Sequence, residues 1–318
     1  MKYRTLGSTG ITLSEIGFGT WGIGGNHEGA VAYGATDDKQ SEEALELAFD
    51  KGINFYDTSD LYGNGHAERL LNRFIARRRS DCIISTKAGF TGHGLEQNFS
   101  SSYLLNALDK SLDRMGTDYV DIFMLHSPNL DKLKNLEDLA ATFEKLKKTG
   151  RIRAWGISAR SPRDAMAVLG QYPISCFQVN FSLVDLRARY CGLLDKAREM
   201  NVGLIARTPL AFGFLTGNVN PTALFSDDDH RKRFSEEKKL EWSNTMKRYQ
   251  NCFGDMEATN AQKSLLFCLA FQPITSTIPG MLTVGHVQEN LIASQLPRLE
   301  SKIIRNICKQ YQHFNGSN

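Results

Sequence analysis

The sequence predicts an α/β chain built as a (β/α)8 barrel. Three observations carry this. Short β-rich runs alternate with amphipathic helical runs, there are eight such runs, and no Pro/Gly/Ser-rich linker divides the chain. Repeated strand–helix units imply a parallel sheet covered by helices. Eight of them in 318 residues suit a barrel, read as one domain over 1–318.

The chain opens with a predicted β-hairpin, KYRTL and ITLSEI around the turn GSTG. The strand runs follow in order: SEIGFGT (14–20), INFYDTS (53–59), CIISTKA (82–88), VDIFMLHS (120–127), IRAWGIS (152–158), CFQVNFS (176–182), VGLIART (202–208) and ITSTIPG (274–280). Helical runs lie between most of them. SEEALELAFDKG carries Leu45, Ala48 and Phe49 at helical spacing and stops at Gly52. SSYLLNALDKSLDRMG opens with serines expected to cap it and ends at Gly116. LEDLAATFEKLKKTG places Leu136, Leu139, Phe143 and Leu146 on one face, with lysines in its last turn. SPRDAMAVLG offers Ser161 as N-cap, Pro162 at the first helical position and Asp164 three residues after the cap. A long connection, 211 to 260, separates strand seven from helix seven and holds a helix of its own, KKLEWSNTMKRYQ.

Composition bounds the function. At 41% hydrophobic and 23% charged, the chain can build a core. A net charge of +3 does not point to nucleic acid as the main partner. The N-terminus shows no apolar signal region and no run is long enough to span a membrane, so a cytoplasmic location is expected. Six scattered cysteines form no C-x-x-C pair, so neither a zinc site nor a redox dithiol is expected, and no metal site is read from the sequence; Cys82 and Cys176 read as small core residues. Oligomeric state is not legible.

The stretch GFGTWGIGG poses a competing reading, since Gly17, Gly19 and Gly22 spell G-x-G-x-x-G and Asp37 and Asp38 follow. A dinucleotide fingerprint needs a helix opening directly at the glycines. Here the first helix is expected only near 36 to 41, so the stretch reads as the first strand entering a loop at the barrel mouth.

In such a barrel, chemistry collects at the C-terminal strand ends. Asp57 ends the second strand, Lys87 the third and His126 the fourth, and Tyr62 lies in the loop after Asp57. Singly, each has a bland explanation: a turn cap, a snorkelling lysine, a hydrogen-bonded histidine, a packed ring. Together they suit one reaction. A nearby lysine charge stabilises tyrosinate, an aspartate fixes that lysine, and a histidine orients a carbonyl oxygen. Such a site protonates a carbonyl oxygen or deprotonates an alcohol.

DTSDLYGNGHAE resembles the aldo-keto reductase signature D-T-x-x-x-Y-G-x-x-x-x-E, matched at Asp57, Thr58, Tyr62, Gly63 and Glu68. The resemblance runs from the hairpin to about Ser294. It implies that Tyr62 is the general acid/base, that Lys87 and Asp57 tune it, and that His126 orients the substrate carbonyl beside a nicotinamide. It also implies that Ser158 and Gln178 hold the carboxamide. TPLAFGFLTG, with Thr208, Pro209, Leu210, Gly213 and Leu215, resembles the pyrophosphate loop. IPGMLTVGHVQEN, with Gly280, Thr283, His286, Glu289 and Asn290, resembles the adenosine-gripping segment. Gly19, Thr20 and Trp21 match the first loop, with Trp21 walling the substrate site beside Tyr62 and His126.

Three positions depart from the family pattern. Ala159 follows Ser158 where many relatives have asparagine. Arg207 stands where many place an aromatic ring, and is expected to cover the nicotinamide or to attract an anionic substrate. Leu282 stands where NADP-preferring relatives often carry a base, and His286 replaces a common glutamine. NADP(H) is expected ahead of NAD(H). Arg231, Lys232 and Arg233 either fold over the cofactor or lie solvated. The expected activity is NAD(P)(H)-dependent interconversion of an aldehyde, ketone or keto-sugar with its alcohol. The alternatives are a cofactor-binding regulatory subunit resembling potassium-channel β subunits, and a lyase using Lys87 as a Schiff base. Phe90, His93, Phe99, Pro128 and Phe212 are candidate wall residues.

Overall fold

A computed structural model describes residues 1–91, 96–133 and 136–315. Eight parallel strands follow one another around a barrel: β1 (Phe18–Gly19), β2 (Phe55–Asp57), β3 (Ile83–Ala88), β4 (Val120–His126), β5 (Ile152–Ser158), β6 (Cys176–Asn180), β7 (Gly203–Arg207) and β8 (Ile274–Ile278). The two edges meet through parallel bridges Ile16–Thr277 and Gly19–Gly280 and the bond from Gly17 N to Thr277 O, 2.9 Å. All eight predicted strands are present. The first is shorter than its sequence run, because its flanks make only these bridges.

The helices longer than a single turn are α1 (Asp38–Asp50), α2 (His66–Ile75), α3 (Ser101–Met115), α4 (Leu136–Lys148), α5 (Pro162–Val168), α6 (Leu193–Glu199), α7 (Glu236–Phe253), α8 (Asn260–Leu269), α9 (Val284–Gln295) and α10 (Ser301–Asn315). The predicted capping box of α5 forms between Ser161 and Asp164, and α3 stops at left-handed Gly116. The cap of α3 is Ser100, one residue before the predicted run, and it accepts from Tyr103 N. The stretch after β1 does hold a single helical turn, Trp21–Gly24, where no helix was expected. Its two glycines, Gly22 and Gly24, hide it, because glycine weakens any helical signal. At four residues it remains too short for a dinucleotide-fingerprint helix.

The hairpin pairs Tyr3 with Ser14 and Thr5 with Thr12 and closes the N-terminal end of the barrel. Its Leu6, Ile11 and Leu13 are buried with Phe55, Ile122, Met124, Ala154, Cys176, Ile205 and Ile278, which fill the barrel interior. Phe123, Leu125, Trp155 and Phe177 pack outward among the helices. This is the period-two alternation of strand side chains. No disulfide forms, and Cys82 and Cys176 are buried in these two layers, as expected. Among the described residues, no helix is long and apolar enough to cross a membrane.

Candidate active site

The strand alternation that fills the barrel also aims the site. Asp57 lies two residues beyond interior Phe55, His126 two beyond Met124, Gln178 two beyond Cys176 and Arg207 two beyond Ile205. Ser158 is four beyond Ala154 and Lys87 four beyond Ile83, which packs against the same interior cluster. All six therefore turn inward at the C-terminal end.

There they form one network. Lys87 Nζ donates to Asp57 Oδ2 (2.7 Å), Thr58 O (2.7 Å) and Tyr62 OH (3.2 Å), and the lysine is fully buried. Asp57 accepts on its other oxygen from Gln178 Nε2 at 2.8 Å, and Gln178 Oε1 accepts from Ser158 Oγ at 3.0 Å. The predicted four thus converge, but Ser158 and Gln178 already spend polar atoms on each other and on Asp57. Tyr62 and His126 rings lie 6.0 Å apart, edge to face, and Phe90 meets His126 at 5.1 Å.

Burial governs the charges. It opposes the Lys87 ammonium, yet Asp57 and Tyr62 outweigh it and hold that pKa above the ordinary lysine value. Burial also raises the Tyr62 phenol, and the Lys87 charge draws it back only part of the way. The expectation that the Lys87 charge would lower the tyrosine pKa omitted this desolvation. For His126, burial and then the Lys87 and Arg207 charges hold the imidazole well below its usual range, so it is neutral.

Two contacts of the site were not anticipated. Ser59 Oγ lies 2.9 Å from His126 Nδ1 and 3.1 Å from Asp60 Oδ1, linking the two. Asn180 Oδ1 accepts from Arg207 Nε at 2.8 Å; Arg207 also reaches Ser158 Oγ (3.2 Å), Ser127 Oγ (3.4 Å) and Ala159 O (2.9 Å). Among the described residues, no carboxylate pairs with Arg207. Its departure from the aromatic ring of the family pattern singled it out in the sequence.

The signature residues outside the reaction centre are structural. Gly63 has φ +58°, and a Cβ there would stand 2.1 Å from Gly24 O, so glycine alone fits. Glu68 is fully buried, accepting from Arg114 Nε and Thr86 Oγ1 at 2.6 Å each.

Around the mouth, Gly19 bridges Gly280, and Thr20 donates to Asp57 O. Trp21 packs with Tyr33, His230 and Phe212 at ring distances of 5.0, 5.0 and 5.9 Å. Thr208 (φ +54°), Pro209 and Leu210 lead into a compact 3-10 segment, Ala211–Thr216, that contains Gly213 and buried Leu215. Gly280 is exposed, with nothing within 4 Å of a notional Cβ except the Tyr33 ring edge at 4.0 Å. Thr283 is the N-cap of α9, accepting from His286 N, while His286 Nδ1 accepts from Leu282 N at 3.3 Å. Glu289 and Asn290 lie on α9, with Asn290 buried. The basic run is engaged by its own acids: Arg231 pairs with Asp229 at 2.6 Å and Lys232 with Asp227. This loop docks on the β1–α1 loop, where His230 N donates to Ala32 O and Asn26 Nδ2 to Asp228 Oδ2. Of the wall candidates, Phe212 joins the Trp21 cluster, Phe99 packs against Gly89 and the core, Pro128 is buried, and His93 lies outside the described residues.

Residues 15–310 match the Aldo/keto reductase family. The chain belongs to this family. It is 30% identical over 310 residues to "Uncharacterized oxidoreductase YqkF" of Bacillus subtilis, covering 96% of this chain and 95% of that one. It is 28% identical over 311 residues to "Aldo-keto reductase yakc [NADP(+)]" of Schizosaccharomyces pombe, covering 93% and 89%. Among solved structures it is similar to the holo form of aldo-keto reductase AKR11C1 from Bacillus halodurans, with TM-score 0.79, 26% identity and coverage of 97% and 96%. As an aldo-keto reductase it is an oxidoreductase of a family that uses nicotinamide cofactors, and the barrel expected from its sequence is the fold of these neighbours.

Proposed function

We propose that this aldo-keto reductase interconverts a small-molecule aldehyde, ketone or keto-sugar with its alcohol, using NADP(H), with NAD(H) as the second choice. The observation that carries the reading is the buried Lys87 ammonium shared between Asp57 and the Tyr62 hydroxyl. Tyr62 is the proton donor to a carbonyl oxygen and the acceptor from an alcohol. Lys87 stabilises the phenolate that donation leaves behind, and Asp57 keeps Lys87 charged and in place. Neutral His126 offers a ring nitrogen to orient the oxygen, with Ser59 holding the other. The protonated state of Lys87 counts against a Schiff-base lyase.

The residues at the mouth fit a dinucleotide. Gly280 is open, α9 begins beside it with backbone N–H groups suited to phosphate, and Arg207 is a cation that no carboxylate among the described residues pairs with. Thr208 to Leu215 and Gly280 to Asn290 would hold the two halves. Trp21, Gly19 and Thr20 would flank the nicotinamide end, where Ser158, Gln178 and Arg207 lie. When bound, the cofactor supplies or takes the hydride. NADP(H) is placed first on family habit and on the yakc name. Leu282 and the internally paired basic run weaken that preference.

A fluorescence titration of purified protein with NADPH and NADH tests this, followed by turnover on a panel of aldehydes. The expected result is binding of at least one cofactor and a rate abolished by Tyr62→Phe. Binding of neither would refute it. No observation favours the regulatory-subunit alternative.

A further inference from the structure

We propose that His27, Asp38 and His66 form a binding site for a divalent metal ion of the zinc class. The three side chains come from three elements: the β1–α1 loop, the first residue of α1 and the first residue of α2. Each offers one ligand atom, and these atoms all lie within 4.8 Å of one another. Among the described residues, no other group of three such side chains comes as close. Ligands of a tetrahedral zinc at ordinary bond lengths stand about 3.3 Å apart, so the His66–Asp38 pair at 2.8 Å is near ligand spacing, while the stacked His27 ring would have to turn to join it.

The closest pair is His66 Nε2 and Asp38 Oδ1 at 2.8 Å, which share a proton that an ion would displace. Asp38 is already oriented for this. Its other oxygen faces Arg73 Nη1 at 3.5 Å, and Arg73 is itself held by Glu42 at 2.9 Å, leaving Oδ1 turned to the imidazoles. The His27 and His66 rings stack at 3.6 Å, and Asn64 Nδ2 donates to the carbonyls of His27 and Glu28, fixing the loop. Arg73, and Arg69 beside His27, oppose a bound cation, while Glu28 favours it. Two imidazoles and one carboxylate suit zinc, cobalt or nickel over the all-oxygen preference of magnesium or calcium, and a fourth position remains for water. The ion would tie the loop that follows Trp21 to the helix that follows Tyr62, so it acts as a structural clasp and is independent of the proposed reaction.

The test uses tag-free, EDTA-treated full-length protein, titrated calorimetrically with Zn2+ and followed by Co2+ absorption and thermal melting. The expected result is one ion per chain, a Zn2+-dependent rise in Tm that Mg2+ does not produce, and affinity lowered at least ~10-fold in His27→Ala, Asp38→Asn and His66→Gln. Circular dichroism in EDTA identifies variants that fold. His27→Ala alters only a loop side chain and keeps the test decisive if the helix-start variants unfold. Absence of stoichiometric Zn2+ binding, or binding undiminished in folded His27→Ala, would overturn the proposal.

Discussion

Replacing Lys87 by methionine removes one charge from a site that solvent does not reach. The ammonium stands 3.2 Å from the Tyr62 oxygen. At an effective dielectric of about 20, a unit charge at that distance stabilises a phenolate by roughly 5 kcal/mol. About 1.4 kcal/mol corresponds to one pKa unit, so the Tyr62 phenol should become harder to ionise by roughly three units or more. If phenolate character develops in the transition state, turnover should fall on the order of 10³-fold or beyond. The same substitution strands the Asp57 carboxylate, which keeps Gln178 as its remaining side-chain partner. Breaking a buried pair typically costs about 3–5 kcal/mol, so Lys87→Met should also melt earlier. The assay is single-turnover reduction of an aldehyde with saturating NADPH across pH, with cofactor affinity measured separately by fluorescence. The rate should collapse while cofactor affinity holds. A folded Lys87→Met enzyme turning over within about tenfold of wild type would refute the assignment of Tyr62 and Lys87 as an acid and its tuner.

Three further outcomes follow from the geometry. Burial, and then Glu68, push the Asp60 carboxyl up to about 7. A raised carboxyl pKa favours the folded state at low pH, and that contribution is lost as pH rises through about 7. Asp60→Asn should therefore gain on the order of 2 kcal/mol relative to wild type between acid and mildly alkaline pH, and a pH-independent difference in Tm would argue against it. His126 is held well below the ordinary histidine range, so by NMR its ring nitrogens should titrate at clearly lower pH than a free imidazole, whereas a midpoint near ~6.5 would contradict the electrostatics described. Glu68→Gln breaks the buried link to Arg114 and should lower stability by about 3 kcal/mol in urea, with turnover of the folded fraction little changed; a loss below about 1 kcal/mol would show that the pair is not a structural tie.

The barrel was legible because strand–helix alternation is a local pattern; Asp57, Lys87 and His126 could be brought together because each ends a strand on a known side of the sheet, and Tyr62 only through its place in the signature stretch. What stayed hidden depends on contacts between distant segments. Ser59 meets His126 across two strands, and nothing near either residue signals it. Asn180 fixes Arg207 from the neighbouring strand. The basic run at 231–233 gave no hint that it would pair within its own loop and dock against residues 26–33, since that outcome needs two loops to meet. The turn Trp21–Gly24 was missed because glycines mask helical propensity, and the cap of α3 shifted to Ser100 because three serines in a row offer equal hydroxyls.

Core and reaction centre share one alternation along each strand, and this constrains how the protein can change. Losing or gaining one residue inside β2, β4 or β6 would swing Asp57, His126 or Gln178 out among the helices, and would draw Tyr56, Leu125 or Phe177 into the barrel. Such a slip would empty the site and spoil the packing in the same event. Selection for a chain that merely folds thus also guards the aim of its chemistry. Apart from the short one after β2, which carries Tyr62, the connections after the strands bear no such burden, so they are free to vary in length, and new substrates are expected to be reached there.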